Sequence, residues 1–205
     1  MFITFEGPDG SGKTTQLKLL FDFLRKQGRN FHTTREPGGT VISDQIRNVL
    51  LNRMENTAMH PRAEILLFCA ARAQLVEEVI QPCLERGEIV LSDRYADSTL
   101  AYQGYGHGVS LDVLRSLLNF ATGGLTPNLT ILFDVDTEVG LKRKIDEGVW
   151  NRLDAYDFAF HQRVRRGYLE MAHQEPERWR VVDANQPVEV VQSDIRKIIL
   201  SYLPR

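Results

Sequence analysis

The sequence predicts an α/β fold, with a central, mainly parallel sheet of five strands flanked by helices. Three observations carry that prediction. Short apolar runs alternate with helical stretches along the whole chain, each run is separated from the next by helical sequence, and polar residues close the runs at their C-terminal ends. Strands joined through helices need crossover connections, which give parallel neighbours. Such a sheet collects its site at the carboxyl ends of the strands.

The elements follow in order. Phe2–Phe5 is a short apolar strand, followed by a glycine-rich turn. From about Lys13 to Lys26 the apolar residues Leu17, Leu20, Phe21 and Leu24 recur at helical spacing, and Gly28 stops the helix. Phe31–Thr34 is a second, weaker strand. Pro61 suits the first turn of a long helix running to about Glu85, with Ile65, Leu66, Cys69, Leu75, Val76 and Val79 apolar and Pro82 expected to kink or shorten its end. Ile89–Leu91, Leu129–Phe133 and Arg180–Val182 complete the sheet, closed by Ser92-Asp93-Arg94, Asp134 and Asp183. With no repeat, low-complexity tract or linker, residues 1–205 read as one domain.

Composition narrows the function classes. A net charge of −2 gives no electrostatic footprint for polymeric nucleic acid or an acidic membrane surface. Nucleotides remain possible partners, because a pocket needs only local positive charge. No apolar run approaches a membrane span and no signal peptide is visible, so the expected location is the cytoplasm. Cys69 and Cys83 make no disulfide framework and read as packing residues. Five histidines, among them His60, His107 and His161, show no metal-ligand spacing.

The chemistry starts at the first turn. Gly7-Pro8-Asp9-Gly10-Ser11-Gly12-Lys13-Thr14 fits the Walker A pattern without a gap, between a strand and a helix. Its glycines let the backbone curl so that N–H groups point at phosphate oxygens, backed by the helix N-terminus at Thr14 and Thr15. Lys13 is expected at the β- and γ-phosphates of ATP, and the Thr14 hydroxyl on Mg²⁺. The fold becomes a P-loop NTPase fold.

A Walker A loop alone does not name the acceptor. No N-K-x-D element reads guanine, and a motor domain would be longer. Arg35-Glu36-Pro37-Gly38-Gly39 follows the second strand and Asp93-Arg94-Tyr95 the third, with Ser98-Thr99-Leu100-Ala101-Tyr102-Gln103-Gly104 close behind. Arg35 and Arg94 emerge at the sheet edge that carries the phosphate loop, and their planar forks suit an acceptor phosphate. Asp93 closes an Ile-Val-Leu run as a Walker B acid does; Asp134 has the same local look, and the neighbouring Arg94 favours Asp93 for Mg²⁺.

These stretches, in this order, resemble bacterial thymidylate kinase, a P-loop nucleoside monophosphate kinase, from residue 2 to about residue 200. The match includes Phe5-Glu6-Gly7, Thr34–Thr40, Leu67-Phe68-Cys69-Ala70-Ala71-Arg72, Ser92–Tyr95, Ser98–Gly104, Asn151-Arg152-Leu153-Asp154 and Asp183–Pro187. The resemblance implies phosphorylation of dTMP to dTDP by ATP, a step towards dTTP, and a homodimer. It implies that Phe68 stacks on thymine, that Arg72 and Gln103 bond its edges, and that Tyr102 lies against the deoxyribose. Arg35 and Arg94, with Glu36 and Ser98 nearby, would hold the acceptor, and Asp9 would approach the sugar hydroxyl or the magnesium site. Phe68 and Arg72 are four apart on one helix, so they share a face.

Residues 142–152 read as a mobile lid loop over ATP. The resemblance implies an arginine on the transferring phosphates that comes either from the phosphate loop or from the lid, and with no basic residue in the phosphate loop before Lys13 it implies the lid type. Arg143 and Arg152 are preferred there over Lys144, because only arginine offers the bidentate fork. Arg143 and the Asn185–Pro187 turn are candidates for the adenine. Two other readings stay open, a kinase for another small acceptor and an ATP-binding switch without turnover.

Overall fold

In the middle of the sheet no side chain reaches water. The structure, a computed structural model, describes residues 1–51, 59–148 and 156–203. Strand β1 (Phe2–Glu6) is buried at all five positions, and it pairs in parallel with β3 (Ile89–Asp93) on one side and β4 (Leu129–Asp134) on the other. Strands β2 (Phe31–Arg35) and β5 (Trp179–Asp183) form the edges, in the parallel order β2-β3-β1-β4-β5. Burial on both faces is why β1 and β4 are mostly apolar, broken within by Thr4 and Thr130, whereas the edge strands are mixed. The expected sheet is therefore present, and all its pairings are parallel.

Side-chain parity divides the core. Ile3, Phe5, Ile131 and Phe133 join Leu17, Leu20 and Leu24 of α1 (Lys13–Lys26) and Val191, Ile195 and Ile199 of α9 (Val188–Tyr202). The opposite parity of β1, Phe2, Thr4 and Glu6, faces the other layer of helices. There Phe2 packs with Leu75, Val76 and Tyr95, and Thr4 shares a 2.9 Å hydroxyl contact with Thr130. Parity thus carries a carboxylate, Glu6, into the interior at the strand's end, with no exposure at all.

The long helix keeps its expected span but not one register. It runs as α3 (Pro61–Leu75), a π turn at Val76–Ile80 and α4 (Gln81–Glu85). Pro82 has no N–H to donate, and its ring would crowd the carbonyl four residues back; a wider turn just before it accommodates both. Leu66, expected on the apolar face, is 57% exposed instead. Between α2 (Val41–Leu51) and α3 lies the first stretch outside the described residues. After β3 come α5 (Ala96–Thr99), a second π turn at Leu100–Gly106 and α6 (Leu111–Thr122).

The expected lid loop is largely helix in its described part. Residues 142–147 belong to α7 (Thr137–Glu147), which ends at Gly148 in the left-handed region. The physical reason is plain: nothing from Lys142 to Glu147 breaks a helix, and the first glycine is Gly148. Arg152, with Asn151, Leu153 and Asp154, lies outside the described residues. Helix α8 (Phe158–Gln174) then packs on the second π turn and on β4. Cys69 and Cys83 are buried free thiols, and no described helix is long and apolar enough to cross a membrane.

The phosphate loop is pressed against α7. A Cβ at Gly10, whose φ is +73°, would meet the carbonyl oxygen of Gly140 at 1.9 Å. Both the backbone conformation and the space therefore require glycine. Gly10→Ala is expected to destabilise the fold by about 2 kcal/mol or more, read as a lowered urea midpoint at unchanged slope.

Candidate active site

Arg35, Glu36, Asp93 and Arg94, placed at strand ends by the sequence, line one cleft of about 240 Å³ together with the phosphate loop. At its floor the loop carries Gly7, Gly10 and Gly12 at positive φ, and Gly12 caps α1 in the left-handed region with no side-chain cap. The first turn of α1 holds no acidic residue, so its N–H groups remain an unneutralised positive end. Lys13 is buried and folds back on the loop, donating to the Gly7 carbonyl at 3.0 Å and to the Pro8 carbonyl and Ser11 Oγ, both at 3.4 Å. Burial, reinforced by the positive charge of Arg94, lowers its ammonium pKa to about 8 against the pull of Asp93, Asp9 and Glu6. Thr14 and Thr15 are exposed, and Thr14 lines the cleft.

The strand-end charges surround that floor. Arg35 stands in register beside Asp93 and projects from the edge strand. Arg94 has φ 70°, the one described non-glycine residue with positive φ. Its guanidinium donates to Asp9 Oδ1 at 2.8 Å, to Ser98 Oγ and Tyr168 Oη at 3.1 Å, and to Tyr102 Oη at 3.3 Å. Asp9 also accepts the Tyr102 hydroxyl at 2.6 Å. Burial alone would raise the Asp9 pKa, but Arg94, Lys13 and that hydroxyl outweigh it and hold the carboxyl at about 2.

Below Arg94 lies Glu6. Its Oε1 accepts the Tyr95 amide at 2.7 Å; its Oε2 accepts Ser98 Oγ at 2.6 Å and Tyr168 Oη at 3.0 Å. Burial, with the charge of Asp97, raises its pKa to about 7 despite Arg94 and these bonds.

Two strand-end aspartates compete for a metal role, and their neighbours separate them. Asp134 is taken by Arg165 in a bidentate pair at 2.7 and 3.0 Å. Asp93 keeps a buried Oδ1 with no partner, and it lines the cleft with Thr14. No group of three or more His, Cys, Asp or Glu among the described residues could hold a metal alone. A hydroxyl plus one carboxylate suits Mg²⁺, which takes most of its ligands from water and substrate phosphates.

The cleft lining also includes aromatic and apolar side chains, Phe68 and Leu51 among them. Phe68 is half-buried, with Arg72 one turn further along α3. Arg72 is 2% exposed. It pairs with Glu36 through Nη2 at 2.6 Å and Nε at 2.7 Å, and donates to Thr99 Oγ1 and the Tyr95 carbonyl. Of its five N–H groups these use four, leaving one on Nη1. Tyr102 and Gln103 reach the same cleft from the second π turn. Glu36 is brought in chiefly as the partner that fixes Arg72.

The adenine candidates from α7 and the β5–α9 turn each have a partner nearby. Arg143 Nη1 donates to the Ala184 carbonyl at 3.0 Å, and Asn185 Oδ1 accepts the Asp136 amide at 3.0 Å. Arg143 is thereby tied to the β5–α9 turn, while Lys144, not preferred from sequence, lines the cleft with Asp9. Glu6, Arg47 and Tyr168 carry no role in the sequence reading, which weighs Lys144 and prefers Arg143 and Arg152. Arg47 lines the cleft and donates to the Pro37 carbonyl at 2.7 Å. A strand ending in a glutamate just before a glycine loop was a visible signal; Tyr168 and Arg47 had none.

What such a cleft can do is bring two anions together, one on curled main-chain amides and one on arginine forks. That places the molecule among the P-loop phosphotransferases. The family model for thymidylate kinase matches residues 5–195. The chain is 51% identical to the thymidylate kinase of Roseiflexus sp. (strain RS-1), over 99% of this chain and 95% of that one. It is also 51% identical to that of Deinococcus radiodurans, over 95% and 94%. The crystal structure of thymidylate kinase from Ehrlichia chaffeensis superposes with a TM-score of 0.78 at 34% identity, covering 97% of this chain and 98% of that chain. The chain belongs to the thymidylate kinase family, and it is a nucleoside monophosphate kinase that turns dTMP into dTDP.

The lowered pKa of Lys13 has a sign that can be measured. An anion bound at the ammonium raises its pKa again, so only the protonated form binds well. Affinity for a nucleoside triphosphate is expected to fall as pH rises through about 8, and binding there should take up a proton. Calorimetry at about pH 8.5 in buffers of different ionisation enthalpy reads that uptake. A binding enthalpy independent of buffer would contradict it.

Proposed function

We propose that the reaction runs in this cleft with its two substrates head to head. The observation that carries the reading is that one cleft is lined both by the phosphate-loop residues with Arg35 and Arg94 and by Phe68, Arg72 and Gln103. The amides of Gly7, Asp9, Gly10, Ser11, Gly12, Lys13, Thr14 and Thr15, with Pro8 shaping the turn, cradle the β- and γ-phosphates of ATP, and Lys13 swings from the loop's carbonyls to the γ-phosphate. Arg35 and Arg94 hold the 5′-phosphate of dTMP in line with it, with Ser98 supporting Arg94. The acceptor is already ionised, so transfer rests on positioning and charge neutralisation rather than on a strong base. Asp9 keeps Arg94 and Tyr102 in place and meets the sugar side, and Tyr102 fills the room a 2′-hydroxyl would need.

Thr14 and Asp93 are the residues to hold Mg²⁺, which when bound supplies charge neutralisation at the phosphates. Phe68 stacks on thymine, a contact worth roughly 1–3 kcal/mol where aromatic rings do this elsewhere. Arg143 and the Asn185–Pro187 turn border the adenine, and Arg152 is assigned to the transferring phosphates. The protein works in the cytoplasm as a homodimer built around α3 and its neighbour α6, on which Leu66, Val113 and Phe120 are exposed, Phe120 at 88%. Phe120→Glu is expected to convert a two-chain mass to a one-chain mass in sedimentation.

Acceptor-dependent ADP release tests the reading directly. With dTMP, Lys13→Ala should lower turnover by about 10²-fold or more, as loss of a transition-state donor does elsewhere. Arg72→Ala should raise the KM for dTMP with little change in that for ATP, and should lower the melting temperature because Glu36 is left buried without its partner. Wild-type activity in both variants would remove the site assignment.

A further inference from the structure

The sequence drew attention to Phe68 and Arg72 as neighbours four apart on one helix face. The face has a third member one turn earlier, Glu64, which is buried at 2% exposure and has no part in the roles assigned so far. Its Oε1 accepts the side-chain amide of Gln103, Nε2 to Oε1, at 2.6 Å. Gln103 is itself 2% exposed and lines the cleft.

A glutamine amide presents an acceptor at one end and two donors at the other, and rotation by half a turn exchanges them at almost no cost in shape. A carboxylate offers only lone pairs. With Glu64 Oε1 against it, the NH₂ of Gln103 must turn towards α3 and its carbonyl oxygen must turn away. The backbone around it is held as well, since Arg163 Nε donates to the Gly106 carbonyl at 3.0 Å and a Cβ at Gly104 would meet Leu111 at 2.5 Å. Of the two ways round for the amide, Glu64 selects one.

We propose that Glu64 is a positioning residue that sets base specificity by locking Gln103 with its acceptor towards the base. This rests on the reading that thymine lies beside Phe68. The cleft then presents a fixed sequence of groups, one remaining N–H on Arg72 Nη1 and one acceptor on Gln103. Thymine answers with O4 and N3–H. Cytosine presents an amino group and a bare N3, so both positions would oppose like with like. A site built to pair a given donor rejects an analogue lacking it far more strongly than one built on shape. Glu64 never touches the substrate in this account; it denies Gln103 the orientation that would welcome cytosine.

The test compares dTMP with methylated dCMP (5-methyl-2′-deoxycytidine monophosphate), which keeps the methyl group and changes only the hydrogen-bonding edge. Glu64→Gln is isosteric and can face Gln103 with either end of its own amide, so it frees the flip. It is expected to raise kcat/KM with methylated dCMP, relative to dTMP, by about tenfold or more, with the loss for dTMP mainly in KM. Glu64→Met, which removes the polar partner at similar length, should shift the ratio the same way and serves if Glu64→Gln does not fold. Glu64→Asp keeps an acceptor-only group and should keep the wild-type ratio. Gln103→Leu separates the two layers of the argument. If it raises the KM for dTMP while Glu64→Gln and Glu64→Met leave the ratio unchanged, the locking role is overturned and the base placement stands. If Gln103→Leu leaves the KM for dTMP unchanged, the base does not meet Gln103 and the proposal falls with that placement.

Discussion

Arg94 occupies a backbone conformation that an L-residue adopts at a cost of about 1–2 kcal/mol, and most of the cleft is arranged around keeping it there. Its amide donates to the Phe5 carbonyl at 3.0 Å, continuing the pairing with β1 past the end of β3. The turn at φ 70° then throws the side chain back across the phosphate loop, where Asp9, Ser98, Tyr102 and Tyr168 accept or flank it. The same turn brings the next amide, that of Tyr95, down onto Glu6. One strained residue therefore couples the loop, the strand and the helix α8. In the proposed reaction an acceptor phosphate meets a guanidinium whose position is already fixed, and the Nη groups exchange some of these contacts for phosphate oxygens.

The fold and the phosphate loop were legible because their signals are local. A glycine pattern, an apolar run and a helical repeat each declare themselves within a short stretch of chain. Arg35 and Arg94 were legible at one remove, since a parallel sheet puts its strand ends on one edge. What escaped was of two kinds. Tyr168 and Glu6 meet across 162 positions of sequence and Gln103 and Glu64 across 39, and nothing in either neighbourhood announces the partner. The other kind is register. The π turns at Val76–Ile80 and Leu100–Gly106 shift which side chains share a face, and the continuation of α7 to Glu147 decides that Lys144 and not Arg143 faces the cleft. An assignment made on bidentate chemistry alone had no access to that rotation.

The pair of Arg72 and Glu36 illustrates why stability is a poor guide to such a site. Each is almost without exposure, and a buried pair of this kind often does no better for stability than a well-packed apolar substitute. Its use is directional. Glu36 fixes two sides of a planar fork, Thr99 and the Tyr95 carbonyl a third, so the last N–H has one direction in which to point. Gln103 is treated in the same manner by Glu64. In the proposed site, each polar group assigned to the base, Arg72 and Gln103, is held by a carboxylate that has no base contact of its own.

That arrangement leaves a signature in how stability depends on pH, and the two best-defined carboxylates act in opposite senses. Asp9 is depressed from 3.8 to about 2, so the folded chain releases its proton more readily than the unfolded one. Its contribution is present above about pH 4 and is lost as pH falls towards 2. Glu6 is raised from 4.5 to about 7, so the folded chain holds a proton that the unfolded chain has given up. Its contribution is complete below about pH 4.5 and drains away as pH rises towards 7. A fold selected for stability alone would not keep Glu6 in that position. It is kept where a buried acceptor can hold Tyr95, Ser98 and Tyr168 beneath Arg94, and the stability lost near neutral pH is the cost of holding that guanidinium still.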